Sequence, residues 1–380
     1  MRDPRPLPAA GLPEPWIDWG KAIASQLIVW HHLAHYGPLA PRVAAAWPDL
    51  MGWLDGRALY AVQVFLVMGG YLAARSLWPH PGTPRVAAAD WPARVARRWQ
   101  RLMPTYLAAL VLAVLCAALA RQWMADADTP AAPTLVQLLA HLVLLQDALD
   151  QPALSAGLWY VVIDLQLFAL LAALALLAGR VPTRRRRRAA AALVVGGGAA
   201  SVLVFNRQPG GDGLAPYFFG SYALGVLAAW GRAAATPAGR RTAAALLLSL
   251  AAAGLALAWR DRLALAAVCA ALLLWQPGRA RLALAGAPWL RATVAQLAAI
   301  SYAVFLVHYP VSLLVTALVL DELPAGPAPA AAVLVFTWLL SLAAGWALTQ
   351  ALQARELDAV ATPRRTDRPW HPLTDPPPSS

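Results

Sequence analysis

The feature that most constrains this chain is a series of apolar runs, each long enough to cross a lipid bilayer as a helix. A hydrocarbon core about 30 Å thick needs roughly 20 apolar helical residues, because each residue adds only about 1.5 Å. Hydrophobic residues fill 60% of the chain and charged residues only 13%, whereas about a quarter of a soluble globular protein is charged. The sequence therefore predicts an all-α polytopic membrane protein.

Ten runs have spanning length, and one shorter run lies between the third and the fourth. The shorter run, residues 134–149, is only about sixteen residues long and carries Gln137, His141, Gln146 and Asp147, so we predict a re-entrant or non-crossing helix there. The ten predicted transmembrane helices are residues 19–37, 58–78, 102–122, 157–179, 189–205, 214–232, 242–259, 262–276, 296–319 and 329–353.

The distribution of basic residues predicts the orientation. If residues 134–149 do not cross, all the larger arginine clusters fall on one side of the membrane and the acidic residues Asp126, Asp128, Asp321 and Glu322 on the other. The positive-inside rule then favours ten crossings with both termini in the cytoplasm. The clusters are Arg94–Arg101, Arg184–Arg188, Arg232 with Arg240 and Arg241, Arg279 with Arg281 and Arg291, and Arg355–Arg368.

This topology divides the chain into three parts. Residues 1–15 are Pro-rich and polar, so we expect a cytoplasmic N-terminal segment and a first apolar helix that is retained rather than cleaved. Residues 16–355 form the transmembrane domain. The tail at 356–380 is Pro-rich without apolar periodicity, and we predict that it is cytoplasmic and disordered.

Charge and cysteine content exclude two classes of function. The formal net charge of +12 does not indicate a nucleic-acid partner, because the basic residues sit in short clusters between apolar runs. Cys116 and Cys269 are the two cysteines of the chain, and both lie inside apolar runs. The sequence therefore offers neither a disulfide framework nor a thiolate metal site, and we expect no metal cofactor.

The first apolar run carries four ionisable residues, Lys21, His31, His32 and His35. Helical spacing places Lys21, His32 and His35 on one stripe, whereas His31 is rotated by about 100° and should face another helix or lipid. His32 would stand roughly 16 Å above Lys21, near the middle of the bilayer. Titratable groups at that depth are costly and usually line a cavity or a pathway.

Two further helices bring titratable groups to a similar predicted depth. Asp164 lies near the start of the inward run 157–179, and His308 lies in the middle of the outward run 296–319. Each residue alone has an ordinary explanation, since a membrane histidine often only packs and Lys21 can anchor the helix at the interface. Lys21 is, however, the single lysine among 31 basic residues.

Five segments in order resemble the acyltransferase-3 family of membrane O-acyltransferases. The first is "DWGKAIASQLIVWHH", in which His32 takes the position of the family's essential histidine and Lys21 that of an arginine. The second is "VFLVMGGYL" at 64–72, preceded by Gln63 where the family often has aspartate. The others are "RRWQRLMPTY", "LWYVVIDLQLFAL" at 158–170, with Asp164 and Leu165 at the positions of two glutamates, and "ISYAVFLVHYPV" at 300–311.

The resemblance implies transfer of an acetyl or other short acyl group from cytoplasmic acyl-CoA to a hydroxyl of a cell-envelope carbohydrate or glycolipid, in a bacterial inner membrane. We expect His32 to be the general base, with Asp164 and Lys21 completing the catalytic group. Arg98 and Arg101 are expected to bind the coenzyme phosphates. The expected substrate contacts are His308, Tyr302, Gln63 and His35.

Two other functions fit the same pattern of buried charges. A proton-coupled secondary transporter or exporter would also place His and Asp at mid-membrane, although the sequence shows no inverted repeat of the transporter kind. A non-catalytic membrane scaffold is the third possibility. Consumption of acyl-CoA that depends on His32 would distinguish the enzyme from both.

Overall fold

The computed structural model describes residues 15–78, 90–276 and 288–361, and within these ranges every regular element is helical. Short 3₁₀ turns cover Ala58–Ala61, Phe205–Arg207 and Gly211–Gly213. The α-helices are α1 Pro15–His35, α2 Leu39–Ala44, α3 Pro48–Gly56, α4 Val62–Leu77, α5 Asp90–Trp123, α6 Leu135–Leu142, α7 Leu158–Gly179, α8 Thr183–Leu203, α9 Ala215–Ala233, α10 Pro237–Leu257, α11 Asp261–Trp275, α12 Pro288–Val319 and α13 Pro327–Ala361.

Helices occupy all ten positions that the apolar runs predict. In the described ranges, seven helical stretches are at least 18 residues long and apolar enough to cross a bilayer. The other three predicted spans correspond to α1, which carries Asp18 and Lys21, to the 19-residue α9, and to α11 with 15 residues. The all-α polytopic architecture is thus confirmed, and the orientation of the bundle stays a prediction.

The segment between α5 and α7 behaves as its length predicts. Its helix, α6, has eight residues and a length of about 12 Å, less than half of a hydrocarbon core. Thr134 caps it through a reciprocal capping box with Gln137. Beyond α6 the chain turns back, and buried Leu144 and Leu154 pack with Tyr106 of α5. The segment therefore packs against the bundle, and its non-crossing topology stays a prediction.

Glycine residues allow two pairs of helices to pack backbone against backbone. A Cβ atom on Gly70 of α4 would lie 2.0 Å from the carbonyl oxygen of Tyr222 in α9, and one on Gly225 would lie 1.9 Å from that of Val67. Gly345 of α13 similarly meets Val304 of α12, whose backbone nitrogen would be 2.8 Å from an added Cβ. Small residues at such crossings are typical of helix association in membranes.

The buried core follows from this packing. Helix α9 is buried along most of its length and lies among α4, α7, α8, α10 and α11. Helix α12 packs against α1, α5 and α13. The predicted N-terminal segment before Pro15, the tail beyond residue 361, and the basic residues Arg279 and Arg281 lie outside the described residues.

Candidate active site

Helix α5 carries a row of arginines along one face at its N-terminal end. Arg94, Arg97, Arg98 and Arg101 fall on one face, because residues three, four and seven apart share a helix face. Together with Lys21 of α1 they line a cavity of about 610 Å³ between α1, α4, α5, α7 and α12. We call it the arginine cavity. Five basic residues around one cavity form a strong site for an anionic group.

Asp164 of α7 lies in the wall of this cavity and pairs with Arg98. The Nε and Nη2 atoms of Arg98 donate to the two carboxylate oxygens of Asp164 at 2.9 and 2.5 Å. The guanidinium also lies over the ring of Phe168, 4.8 Å from its centroid. A planar fork matched to a carboxylate is the geometry that arginine favours, so the pair fixes α5 against α7.

Aromatic side chains line the part of the cavity that leads away from the arginines. The hydroxyl of Tyr302 donates to the carbonyl oxygen of Leu102, and Tyr160 packs edge-on against Phe305. Phe305 lines the cavity, and its ring centroid lies 6.1 Å from that of His308. The cavity therefore ends close to the two histidines that the sequence analysis selected.

His32 and His308 form a direct pair between α1 and α12. The Nδ1 atom of His32 lies 2.6 Å from Nε2 of His308, and the two ring planes are nearly parallel, 4° apart, with centroids separated by 4.8 Å. His308 is fully buried, whereas His32 is only partly buried. The two histidines of the pair thus differ in exposure.

The hydrogen bonds assign the protons of this pair. Nδ1 of His308 lies 3.2 Å from the carbonyl oxygen of Val304, and a carbonyl can only accept, so Nδ1 carries the hydrogen. In a neutral His308, Nε2 is then an acceptor, and His32 must donate to it from Nδ1. The lone pair of His32 is consequently on Nε2, where it can accept a proton.

The other two histidines of α1 have different partners. His31 is buried, and its Nδ1 atom contacts the carbonyl oxygen of Leu54 in α3. The prediction that His31 faces another helix is therefore confirmed. His35 pairs with Asp55 of α3 at 2.7 Å, and both side chains are about half exposed, at 50% and 49%.

Two tyrosines lie beside His32 at the end of the bundle remote from the arginines. The ring of Tyr36 is 5.6 Å from that of His32 and packs edge-on against Tyr309. The Tyr309 hydroxyl donates to the backbone carbonyl of Asp128. A tyrosine phenol is neutral at ordinary pH, so Tyr36 can donate a hydrogen bond.

The structure corrects the expected partner of Asp164. We expected Asp164 to complete a catalytic group with His32, but both of its carboxylate oxygens accept hydrogen bonds from Arg98, and His32 pairs with His308. Lys21 also lies with the arginines, about 16 Å from His32 along α1. The expected catalytic group is thus divided between two levels of the bundle.

The remaining predicted residues fall at three places. Arg101 and Tyr302 line the arginine cavity, and His308 contacts His32. Gln63 is not among the residues that line the arginine cavity. The amide oxygen of Gln63 accepts a 2.6 Å hydrogen bond from Ser221 in the α4–α9 interface, and its side chain is buried. Gln63 therefore joins two helices in this structure.

Sequence reasoning missed Arg94, Arg97, Tyr160 and Phe305 in the cavity lining. The helical period counted back from Arg101 would have found the two arginines. No comparable signal marks the aromatic residues, because their position depends on which helices pack together. In the described ranges, no group of three or more His, Cys, Asp or Glu side chains is placed to hold a metal ion.

Comparison with known proteins gives one match. The chain matches a protein-family model described as an acyltransferase domain over residues 14–349. No curated protein and no solved structure matches the chain.

Proposed function

Because the chain belongs to this acyltransferase family, as its motifs predict, we propose that it transfers an acyl group from acyl-CoA to a hydroxyl with His32 as general base. The observation that carries the proposal is the His32–His308 pair at the end of a cavity lined by five basic residues. The pair supplies a base, and the cavity supplies a site for a polyanionic donor.

The proton assignment of the pair supports the chemistry at the acceptor. The hydroxyl gives its proton to Nε2 of His32 while its oxygen attacks the thioester carbonyl carbon. The resulting imidazolium keeps its Nδ1–H bond to His308. The C–S bond then breaks, the coenzyme thiolate takes the proton from Nε2, and the ester and free thiol leave. Each proton and electron pair is accounted for, and His32 ends the cycle neutral.

The arginine cavity supports acyl-CoA as the donor. Coenzyme A carries several phosphate charges at one end and its thioester at the end of a long, thin pantetheine arm. Arg94, Arg97 and Arg101 would bind the phosphates through charge-assisted hydrogen bonds, with Lys21 adding a point charge. The arm would then run past Tyr302 and Phe305 toward His32. Asp164 keeps Arg98 oriented in the cavity wall and does not contact the reacting atoms.

The acceptor is proposed to approach from the opposite end. Tyr36 and Tyr309 beside His32 offer phenol groups that can contact a polyhydroxy compound, which fits a carbohydrate or glycolipid of the cell envelope. With the arginines facing the cytoplasm, as the positive-inside rule predicts, His32 is closer to the outer face. The protein would then lie in the bacterial inner membrane with both termini in the cytoplasm.

The decisive experiment is an acyl-transfer assay with purified protein. We expect the wild-type protein to consume acetyl-CoA in the presence of an acceptor and His32→Ala to consume none, while His31→Ala serves as the matched control. Proton-coupled transport would leave acetyl-CoA intact in all three. Mass spectrometry of cell-envelope glycans with and without the intact gene should identify the acyl group and its acceptor. Identical glycans would contradict the proposed acceptor class.

A further inference from the structure

A second cavity opens at the surface of the bundle, between α1, α4 and α11. Its volume is about 810 Å³, and we call it the lateral groove. Most of its lining is apolar, and several of the lining side chains are partly exposed, among them Ile23 at 52% and Val268 at 56%. The lining of α11 runs from Asp261 to Leu273, a distance of about 18 Å. A groove of this length and polarity fits an extended hydrocarbon chain.

The two ends of the lateral groove differ in polarity. Trp16 and Trp19 of α1 line one end. At the other end Arg57 pairs with Asp261, and the indole nitrogen of Trp259 donates to the same carboxylate at 2.8 Å. An apolar channel that finishes at an ion pair suits a molecule with a hydrocarbon chain and a polar head.

The polar end of the lateral groove lies next to His31 and His35, because the C-terminal part of α3 contacts the groove and these two histidines. Trp53 and Arg57 line the groove. Between them, the carbonyl of Leu54 contacts His31 and the carboxylate of Asp55 contacts His35. Arg57 follows Leu54 and Asp55 closely in the chain, so a head group held at Arg57 lies near the contacts of these two residues with His31 and His35. This end of the bundle is remote from the arginine cavity.

The groove is distinct from the donor site. Met68 lines both cavities. Its Cε atom packs against Gly20 so closely that a Cβ added to Gly20 would lie 1.9 Å from it. This side chain and the backbone of Gly20 separate the groove from the arginine cavity. A donor bound by the arginines would therefore carry its acyl group toward Phe305 and not into the groove.

We propose that the lateral groove binds the hydrocarbon chain of a lipid-linked carbohydrate acceptor, and that Arg57 and Asp261 hold its polar head beside the histidines. This inference rests on the proposed function and narrows the acceptor to an amphiphile. The alkyl chain supplies binding energy by burial of apolar surface. The sugar hydroxyls accept charge-assisted hydrogen bonds from Arg57 and donate them to Asp261.

Photo-cross-linking of full-length protein in lipid nanodiscs tests the proposal. The probe is dodecyl glucoside with a diazirine on its alkyl chain, and labelled peptides are mapped by mass spectrometry. We expect label on α1 and α11, reduced about tenfold in Val268→Trp, which fills the groove. Leu248→Trp, on the exposed face of α10, is the matched control and should label like wild type.

The outcomes separate the alternatives. Label spread evenly over the lipid-facing helices would overturn the proposal. Equal groove labelling by a phosphatidylcholine with the same diazirine would also overturn it, because the groove would then hold an ordinary bilayer lipid. Equal labelling by a diazirine-bearing palmitoyl-CoA would overturn it as well, because the groove would then hold the acyl chain of the donor. His32→Ala should retain the label while losing transfer. Groove labelling in a wild-type protein that transfers no acyl group would contradict the proposed function alone.

Discussion

His32 and His308 meet with nearly parallel ring planes across the α1–α12 interface, with Nδ1 of His32 2.6 Å from Nε2 of His308. Because Val304 fixes the hydrogen of His308 on Nδ1, the pair leaves the basic nitrogen of His32 available. The arrangement orients an imidazole without a carboxylate, since a neutral histidine occupies the position that an aspartate holds in a Ser-His-Asp triad.

His32 and its chain neighbour His31 should differ sharply in activity. Loss of a general base typically removes about two to four orders of magnitude in rate, so His32→Ala should show no detectable transfer. His31 bonds to the carbonyl of Leu54, and His31→Ala should retain most of the activity. Both variants are assayed at matched expression, and a dead His31→Ala beside an active His32→Ala would refute the assignment.

His308 should act as a positioning residue. In His308→Ala the Nδ1–H of His32 loses its acceptor, so we expect kcat to fall by about ten- to a hundredfold through loss of the correct tautomer. His308→Gln offers an amide oxygen and should recover part of that loss. The KM for acyl-CoA should stay constant, since His308 is not among the residues that line the arginine cavity. A fall in acyl-CoA affinity with unchanged kcat would contradict this role.

Arg101 should determine affinity for the donor. A charge-assisted hydrogen bond contributes about 1.5–3 kcal/mol, so Arg101→Ala should raise the KM for acyl-CoA at least about tenfold. Arg101→Lys should restore it only partly, because a point charge cannot replace the planar fork. Arg184→Ala is the control, since Arg184 is exposed on α8 away from the cavity. Equal KM values in all variants would contradict donor binding by Arg101 and would indicate that it only anchors the helix at the membrane surface.

The Arg98–Asp164 pair should be mainly structural, and a double-mutant cycle can show it. Removing one partner of a buried ion pair costs about 3–5 kcal/mol, whereas replacing both by apolar residues is often neutral. We therefore expect Arg98→Met and Asp164→Leu each to lower the thermal unfolding temperature in detergent, and the double variant to recover most of the loss. Additive losses would argue that the residues act independently.

The topology can be tested with reporter fusions. A reporter after residue 182, between α7 and α8, and one near residue 90 should both read cytoplasmic, because α6 is too short to cross the membrane. Opposite readings at the two positions would mean that residues 134–149 contribute a crossing and that the ten-span topology is wrong.

The positions of the helices could be predicted from the sequence, because the hydropathy of each run and its length are local properties. The different orientation of His31 and His32 could be predicted as well, since helical periodicity rotates them by about 100°. His35, predicted to share a stripe with His32, pairs with Asp55 of α3 instead. The residue that contacts His32 could not be predicted from the sequence. Whether His308 or Asp164 meets His32 depends on which helix packs against α1 and at what height, and those contacts join residues far apart in sequence.

The height of Asp164 shows why residue counting failed. We assumed that α7 starts at the membrane surface. In the structure the preceding segment folds into the bundle, and a Cβ on Gly157 would lie 2.4 Å from the carbonyl oxygen of Phe305. Helix α7 therefore begins about level with Phe305, and Asp164, roughly 9 Å further along α7, reaches the arginines and not the histidines.

The contact between Gly345 and Val304 gives a residue without any functional group an influence on proton transfer. Val304 supplies the carbonyl that holds the His308 hydrogen, and α13 approaches its backbone so closely that even a methyl group at position 345 would displace that turn of α12. If this carbonyl moved, the hydrogen of His308 would no longer be held on Nδ1. The nitrogen of His32 that is basic would then no longer be fixed. The tautomer of the histidine pair is thus set in part by the distance between two helix backbones, and a mutation on the far side of α12 can change the reaction without touching a reactant.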